Sequence, residues 1–114
     1  MKYYIDERLV RTSERTYTHA VLFDNEVFSC CGSFLLANKE LSKRIAHLDA
    51  CNRDAHAAIA AIDEGKSYYM ARVFSDSRRP YKCPIKRSRE EYMEMIAENE
   101  DKKTHWHIRE LEIR

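Results

Sequence analysis

Residues 72–89 have the strongest chemical bias in the sequence, with seven lysines and arginines against a single aspartate. Tyr81 stands between Arg79 and Lys82 within this run. Cationic side chains bind phosphate, and an aromatic ring beside them can stack on a base. Residues 90–112, in contrast, carry eight acids against three bases. The basic run is therefore either an anion-binding segment or a solvated loop whose cations offset the acidic helix beside it.

A second polar group is predicted on the last strand, where His105, His107 and Arg109 alternate on one face. Two histidines at this spacing can ligate a metal, but no H-x-E, H-E-x-x-H or paired C-x-x-C motif supplies further ligands. The sequence therefore predicts no metal site. The row is interpreted as a solvent face or as the wall of a polar ligand pocket.

The start of a predicted long helix is a third candidate, because Gly32 and Ser33 stand there. Free amides and the positive end of the helix dipole make a helix start a weak anion site. Every capped helix has this property, so Ser33 becomes a stronger candidate only if His19 or Arg11 from the adjoining strands faces the same space.

Catalysis requires a nucleophile, a neighbouring base and an orienting third group. Cys30 or Cys31 with His19 is the only such pairing that a hairpin over these residues could bring together. A lone pairing of this kind arises by chance in many domains. We therefore expect a binding protein rather than an enzyme, with no catalytic residue and no cofactor.

Length and composition limit the class of protein. The chain has 114 residues, 44% hydrophobic and 34% charged, with a net charge of +1, which fits one globular domain over residues 1–114. No apolar run approaches the roughly 18 residues of a membrane span, and residues 1–6 lack the apolar core of a secretion signal. We expect a soluble cytoplasmic protein with no membrane partner, whose four cysteines stay reduced.

The elements that must position these groups begin with strands. Residues 2–10 and 17–23 are rich in aromatic and β-branched residues, which is typical of strands. Residues 27–30 resume this pattern after a turn at residues 24–26. Residues 17–30 are therefore predicted to form a hairpin.

A long helix is predicted next. Ser33 supplies an N-cap, and apolar residues then recur at a helical period up to a stop at Gly65. The helix is either continuous or broken near residues 49–54. Unbroken, it would be roughly 45 Å long, so it must break or project towards a partner. The small side chains of residues 55–62 allow close packing, either on the sheet or on a second copy of the chain.

The pattern after the long helix predicts a strand at residues 67–74 and a polar loop at residues 75–87. Ser88 and Glu91 then fit a capping box, which opens a short helix towards Asn99. The loop carries most of the basic run, so the candidate cations are predicted to lie between a strand and a helix.

The last strand, residues 104–113, has Trp106 and Ile108 on one face but Leu111 and Ile113 on the other. That switch predicts a bulge or a change of neighbour partway along the strand. The element order indicates an α+β fold. We expect an antiparallel sheet of about four or five strands, with one long helix, continuous or broken, and one short helix packed on it.

Several short stretches resemble a family of small phage proteins. They are YTHAV at residues 17–21, VFSC at residues 27–30, Gly32 and Ser33 opening a helix, and the arginine-bearing last strand around Arg109. In length and in element order the chain is similar to the Thoeris anti-defence proteins, which are sponges for signalling nucleotides.

The resemblance implies a homo-oligomer in the host bacterial cytoplasm that sequesters a cyclic ADP-ribose isomer, or cyclic oligonucleotides, without cleaving them. Such a ligand carries a pyrophosphate and an adenine, so it requires arginines and an aromatic platform. The resemblance suggests Arg109 for phosphate and Tyr81 or Tyr17 for stacking. The supporting cations that it suggests are Arg53, Arg78 and Arg79.

Two alternatives come from other functional classes. The chain could be an anti-CRISPR type of inhibitor that occupies a host defence protein complex and uses its separated charge as a complementary patch. It could instead be a small nucleic-acid-binding phage protein that uses residues 78–89, although the acidic residues elsewhere disfavour wide DNA contact.

Overall fold

The computed structural model describes residues 1–73 and 79–114. These residues form two compact units. The first unit comprises residues 1–45 and 104–114, and the second comprises residues 46–103. Neither of the helices found in the described part of the chain is both long and apolar enough to span a membrane.

The first unit contains six strands and the first part of the long helix. The strands are β1 (Lys2–Ile5), β2 (Arg8–Thr12), β3 (His19–Phe23), β4 (Glu26–Cys31), β7 (Trp106–Glu110) and β8 (Glu112–Ile113), and the helix is α1 (Phe34–Asp63). The second unit contains the remainder of α1, the strands β5 (Tyr68–Ala71) and β6 (Tyr81–Pro84), and the helix α2 (Arg89–Lys103).

The described strands are arranged in three small antiparallel sheets. Their orders are β2-β1-β8, β4-β3-β7 and β5-β6. The α+β class, the antiparallel pairing and the long helix are thus confirmed, while the strands are divided among three sheets instead of forming one sheet of four or five. Residue alternation identifies strands but not their partners, which is why the division was not predicted.

The N-terminal segment is a hairpin, although residues 2–10 were predicted to be one strand. β1 and β2 pair with Ile5 opposite Arg8, and the turn between them places Asp6 at a φ of 52°. Aspartate is one of the few residues that adopt this left-handed conformation. The sequence carries no glycine at this turn, so the usual signal for a tight hairpin was missing.

The hairpin predicted for residues 17–30 is confirmed. β3 pairs with β4, with a bulge between Val21 and Leu22, and Asp24 turns the chain at a φ of 54°. His19 lies directly opposite Cys31 in the register. The hairpin therefore brings together the histidine and a cysteine that the sequence suggested as a pair.

The C-terminal strand changes its partner, as its switch of face predicted. β7 pairs with β3, whereas β8 pairs with β1. Between them, the amide of Leu111 donates a hydrogen bond to the carbonyl of Thr18 at 2.9 Å. The last residues thus link the two sheets of the first unit.

The apolar core of the first unit lies between those two sheets. Ile5 from β1 and Ala20 and Leu22 from β3 are buried together, and half-buried apolar side chains from β2, β4 and Leu111 surround them. The opposite face of the β3 sheet meets the first part of α1. There the Phe34 ring lies 5.4 Å from His19, and Arg44 covers the Phe28 ring at 4.2 Å.

The helix α1 is continuous over 30 residues, which decides between the two alternatives that the sequence left open. Its start is capped as predicted, because the Ser33 hydroxyl accepts a hydrogen bond from the Leu36 amide at 3.1 Å. Its end is also as predicted, with Gly65 at a φ of 77°. The Gly65 and Lys66 amides bond to the Ile62 and Ala61 carbonyls in a Schellman motif.

The second unit packs α1 against α2 and β5. Ala55, Ala58, Ile59 and Tyr92 form its buried cluster, and the Tyr69 ring meets the Tyr92 ring edge-on with centroids 6.3 Å apart. Since alanines dominate the α1 contribution, the helices can approach closely.

A polar network also joins the two helices of the second unit. Asn52, only 5% exposed, donates to the Glu100 carboxylate at 3.0 Å and accepts from the Asn99 amide at 2.9 Å. Lys103 completes the network by pairing with both Glu100 and Asp49. These bonds satisfy the side-chain amide of Asn52, which is the one buried polar residue within residues 49–54, where the sequence left a break in α1 open.

Of the loop predicted for residues 75–87, residues 75–78 lie outside the described part of the chain, and the rest includes a short strand. Residues 81–84 form β6, which pairs with β5 so that Tyr69 lies opposite Cys83 and Ala71 opposite Tyr81. Proline and charged residues are typical of edge strands as well as of loops, which is why the prediction was wrong here. The capping box of α2 is confirmed by reciprocal bonds of 3.1 Å between Ser88 and Glu91.

Candidate anion-binding site

The residues predicted to bind a ligand are divided between the two units. Arg109, Tyr17, His19 and Ser33 belong to the first unit, and Arg53, Arg79 and Tyr81 belong to the second. Arg78 lies outside the described residues.

Arg109 borders a polar hollow of about 540 Å³ in the first unit. Its guanidinium donates to the Asp6 carboxylate at 3.0 Å. The hollow is lined by Ile5, Asp6, Glu7, Arg8, Leu22, Asn25, His107 and Arg109. Of the row His105, His107 and Arg109, which the sequence assigns to a solvent face or to the wall of a polar pocket, the last two line this hollow.

The lining of the Arg109 hollow contains as many acids as arginines, Asp6 and Glu7 beside Arg8 and Arg109. Asp6 pairs with Arg109, and Glu7 pairs with Arg114. Arg8 donates to the carbonyl of Asn25, and the His107 Nε2 lies 2.6 Å from the carbonyl oxygen of Asp24. An anion entering this hollow would have to displace Asp6 from Arg109, so the site offers little net attraction for phosphate.

The other candidates of the first unit are engaged in structural contacts. Tyr17 meets the Tyr3 ring edge-on at 5.5 Å, and Arg11 covers the Tyr17 ring at 4.9 Å. The sequence made Ser33 a stronger anion-site candidate only if His19 or Arg11 faced the same space, and the His19 ring lies against Phe34 at the start of α1. The His19 Nδ1, however, is hydrogen-bonded to the Thr18 hydroxyl at 2.8 Å. The Ser33 hydroxyl is used as the helix cap.

The second unit contains a different hollow, of about 410 Å³, between α1 and the end of β5. Two arginines border it, Arg53 from α1 and Arg72 from the residue after β5, and both are exposed. Its apolar lining comes from Ala50, Ala57, Met70 and Val73, and its one acid is Asp54. We call this the arginine hollow.

The carboxylate of the arginine hollow is already occupied by backbone groups. Asp54 accepts hydrogen bonds from the Arg72 amide at 3.3 and 3.2 Å and from the Val73 amide at 3.2 Å. Within residues 1–73 and 79–114, neither Arg53 nor Arg72 forms a salt bridge. Two guanidinium groups are thus available to an anion at one hollow, where each can bind phosphate through two parallel hydrogen bonds.

Tyr81 lines a smaller hollow of about 200 Å³ that adjoins the arginine hollow, because Asp54 and Val73 border both. Burial raises the pKa of the Cys51 thiol in this smaller hollow, and the nearby Asp54 charge raises it further. Burial likewise raises the pKa of the Tyr69 hydroxyl, and its hydrogen bond with Cys83 adds to the shift. These groups are therefore protonated at neutral pH and poorly suited to act as nucleophiles.

The cations of the basic run have different surroundings. Lys82 lies over the Tyr68 ring at 4.1 Å, and Arg89 pairs with Asp63 at 3.0 Å. Lys86 and Arg87 are exposed. The run is therefore not one uniform phosphate-binding loop, since its members differ in their partners.

Sequence reasoning selected Arg53 but missed Arg72 as its companion. Arg72 is the first residue of the basic run and directly follows β5, so its position at a strand end was the available signal. Asp54 was missed as well. Its role depends on accepting hydrogen bonds from amides 18 and 19 residues away, which no local pattern reveals.

Within the ranges 1–73 and 79–114, no group of three or more His, Cys, Asp or Glu side chains is arranged to hold a metal ion. The comparisons with known proteins give no further guide to the ligand. No protein-family model, curated protein or solved structure matches this chain.

Proposed function

We propose that the chain is a binding protein that captures a phosphorylated small molecule at the arginine hollow without cleaving it. The observation that carries this proposal is the pair Arg53 and Arg72, which border one hollow and have no acidic partner in the described residues. The single acid beside them, Asp54, is engaged by backbone amides. A bound phosphate would therefore meet two guanidinium groups without displacing an existing ion pair.

The same reasoning favours the arginine hollow over the Arg109 hollow as the phosphate site, although the resemblance had suggested Arg109 for phosphate. Arg109 already pairs with Asp6, and Glu7 stands in the same hollow. Exchanging one carboxylate for a phosphate gains little when both interactions are exposed to water. The proposal accordingly transfers the phosphate-binding role from Arg109 to Arg53 and Arg72, with Tyr81 as the neighbouring aromatic residue.

The biological role we propose follows from the resemblance to the Thoeris anti-defence proteins. In that role the chain sequesters a cyclic nucleotide immune signal, a cyclic ADP-ribose isomer or a cyclic oligonucleotide, in the cytoplasm of an infected bacterium. Sequestration requires binding without chemistry, and the protonated Cys51 thiol near the site suits that requirement.

Isothermal titration calorimetry tests the proposal, with inorganic pyrophosphate and a cyclic ADP-ribose isomer as the two probes. The Arg53→Ala/Arg72→Ala variant loses two charged donors, each worth roughly 1.5 kcal/mol to a bound anion, so the affinity for either probe should fall about 100-fold. The nucleotide recovered after heat release should have an unchanged mass.

The matched control is the Lys86→Ala/Arg87→Ala variant, which removes the same two charges from exposed positions of the same unit. Its affinity should stay within about 3-fold of the parent chain, because long-range attraction is largely screened by salt. Equal losses in the two variants would show that only net charge matters and would refute the proposed site. Failure of the parent chain to bind either probe, with co-elution of a defence protein complex, would favour the inhibitor alternative.

A further inference from the structure

A smaller hollow lies beside the arginine hollow and shares Asp54 and Val73 with it. It measures about 200 Å³ and is mostly aromatic and sulfur-containing in character. Its lining residues are Cys51, Asp54, Ala55, Tyr69, Val73, Tyr81, Cys83, Tyr92 and Met95. We call it the tyrosine hollow.

On the basis of the proposed function, we infer that the tyrosine hollow receives a planar aromatic ring of the same ligand whose anionic part lies on Arg53 and Arg72. The size suits this occupant, since an engineered apolar cavity of about 150 Å³ binds benzene. A hollow of about 200 Å³ therefore accommodates one flat ring system and is too small for a second.

The lining also favours a ring over an aliphatic group. Tyr69 and Tyr92 meet edge-on, with an interplanar angle of 77°, which fixes two aromatic walls at a wide angle to each other. Met95 adds a polarisable thioether, which makes favourable contacts with aromatic rings. Tyr81 is 36% exposed, so its ring stands at the rim, where it can cover an entering base.

The two hollows are held next to each other by one anchored residue. Asp54 borders both, and its carboxylate is fixed by the amides of Arg72 and Val73. A ligand with a flat ring close to its phosphate can therefore fill both hollows together. This selects aromatic phosphates over simple sugar phosphates, which would leave the tyrosine hollow empty.

Methyl-resolved NMR separates the two parts of the inference, because each hollow has its own methionine. Met95 lines the tyrosine hollow and Met70 the arginine hollow, while Met1 and Met93 line neither. With ¹³C-methyl methionine in the full chain, indole is titrated as the ring alone and pyrophosphate as the anion alone. Indole should shift the Met95 methyl signal, and pyrophosphate should shift that of Met70.

A variant pair tests the role of the rim. Base stacking on an aromatic side chain contributes about 1–3 kcal/mol, so Tyr81→Ala should weaken indole binding by roughly 5- to 150-fold. Tyr4→Ala, a half-buried ring in the first unit, should leave it unchanged. Since Tyr81 is an exposed edge residue, the variant is expected to fold, and its melting temperature checks this.

The outcomes distinguish the inference from the function on which it rests. A pyrophosphate shift at Met70 without an indole shift at Met95 would overturn the ring site and leave the anion site standing. Loss of the Met70 response as well would overturn both. Equal effects of Tyr81→Ala and Tyr4→Ala would also overturn the ring site, because stacking at the rim could not then explain the affinity.

Discussion

Replacing Asn52 with alanine should destabilise the second unit by removing the centre of its polar network. The Asn52 amide makes two hydrogen bonds, to Glu100 and to Asn99, and is only 5% exposed. Each bond of a buried amide contributes about 1 kcal/mol. The higher helix propensity of alanine offsets about 0.6 kcal/mol of the stability lost with these bonds. The expected net loss is about 1.5 kcal/mol in the free energy of unfolding.

Urea unfolding followed by circular dichroism measures this loss, and thermal unfolding should show a decrease of about 6 °C in the melting temperature. The m-value should stay unchanged, because the variant exposes the same surface on unfolding. Asn38→Ala is the matched control, since Asn38 is exposed in the first part of α1. That variant should gain a few tenths of a kcal/mol from propensity alone. If Asn52→Ala were as stable as Asn38→Ala, the network would contribute nothing and the reasoning would be refuted.

The same unit provides two further predictions. The Lys103 ammonium lowers the pKa of Glu100, so this carboxylate stabilises the folded chain above its unfolded pKa. That contribution should be lost as the pH falls below the ordinary glutamate pKa of about 4.3 and through the lower pKa of the folded chain. When the melting temperature is measured against pH, Glu100→Gln should reduce its decline at acid pH. The control is Glu98→Gln, and an equally steep decline in the two variants would contradict this prediction. Ser88→Ala should lower the free energy of unfolding, measured with urea, by about 1 kcal/mol, because Ser88 and Glu91 cap each other's amides at the start of α2. A loss below about 0.3 kcal/mol would show that the cap adds no stability.

Local signals in the sequence were sufficient for the caps and for the main hairpin. Ser33, Gly65 and the pair Ser88 and Glu91 act at helix ends as their types and spacing predicted. The change of face along residues 104–113 correctly indicated a change of strand partner. Each of these features depends on a few neighbouring residues whose chemistry determines the backbone conformation directly.

Features that depend on distant partners were beyond such signals. The turn at Asp6 and the strand β6 lack the residue types that usually mark them. Asn52, which lies where the sequence left a break in α1 open, finds its hydrogen-bond partners on α2. The sequence also could not show that Asp6 pairs with Arg109 across 103 positions, which changes the value of that arginine as an anion ligand.

The candidate site was half predicted for the same reason. Arg53 and Tyr81 were selected by residue type, and both border the adjoining hollows of the second unit. Arg72 became a candidate only when the pairing of β5 and the Asp54 bonds placed it beside Arg53. Residue type can propose a phosphate ligand, but which partners the nearby carboxylate takes is a property of the folded chain.

Anion binding at the arginine hollow is tested most directly by an NMR titration of the arginine side-chain Nε–H signals with inorganic pyrophosphate. Anion binding at the arginine hollow predicts that the signals of Arg53 and Arg72 shift together, with one shared dissociation constant, while that of Arg109 stays in place. A response at Arg109, with Arg53 and Arg72 unmoved, would contradict anion binding at the arginine hollow and return the phosphate role to the last strand.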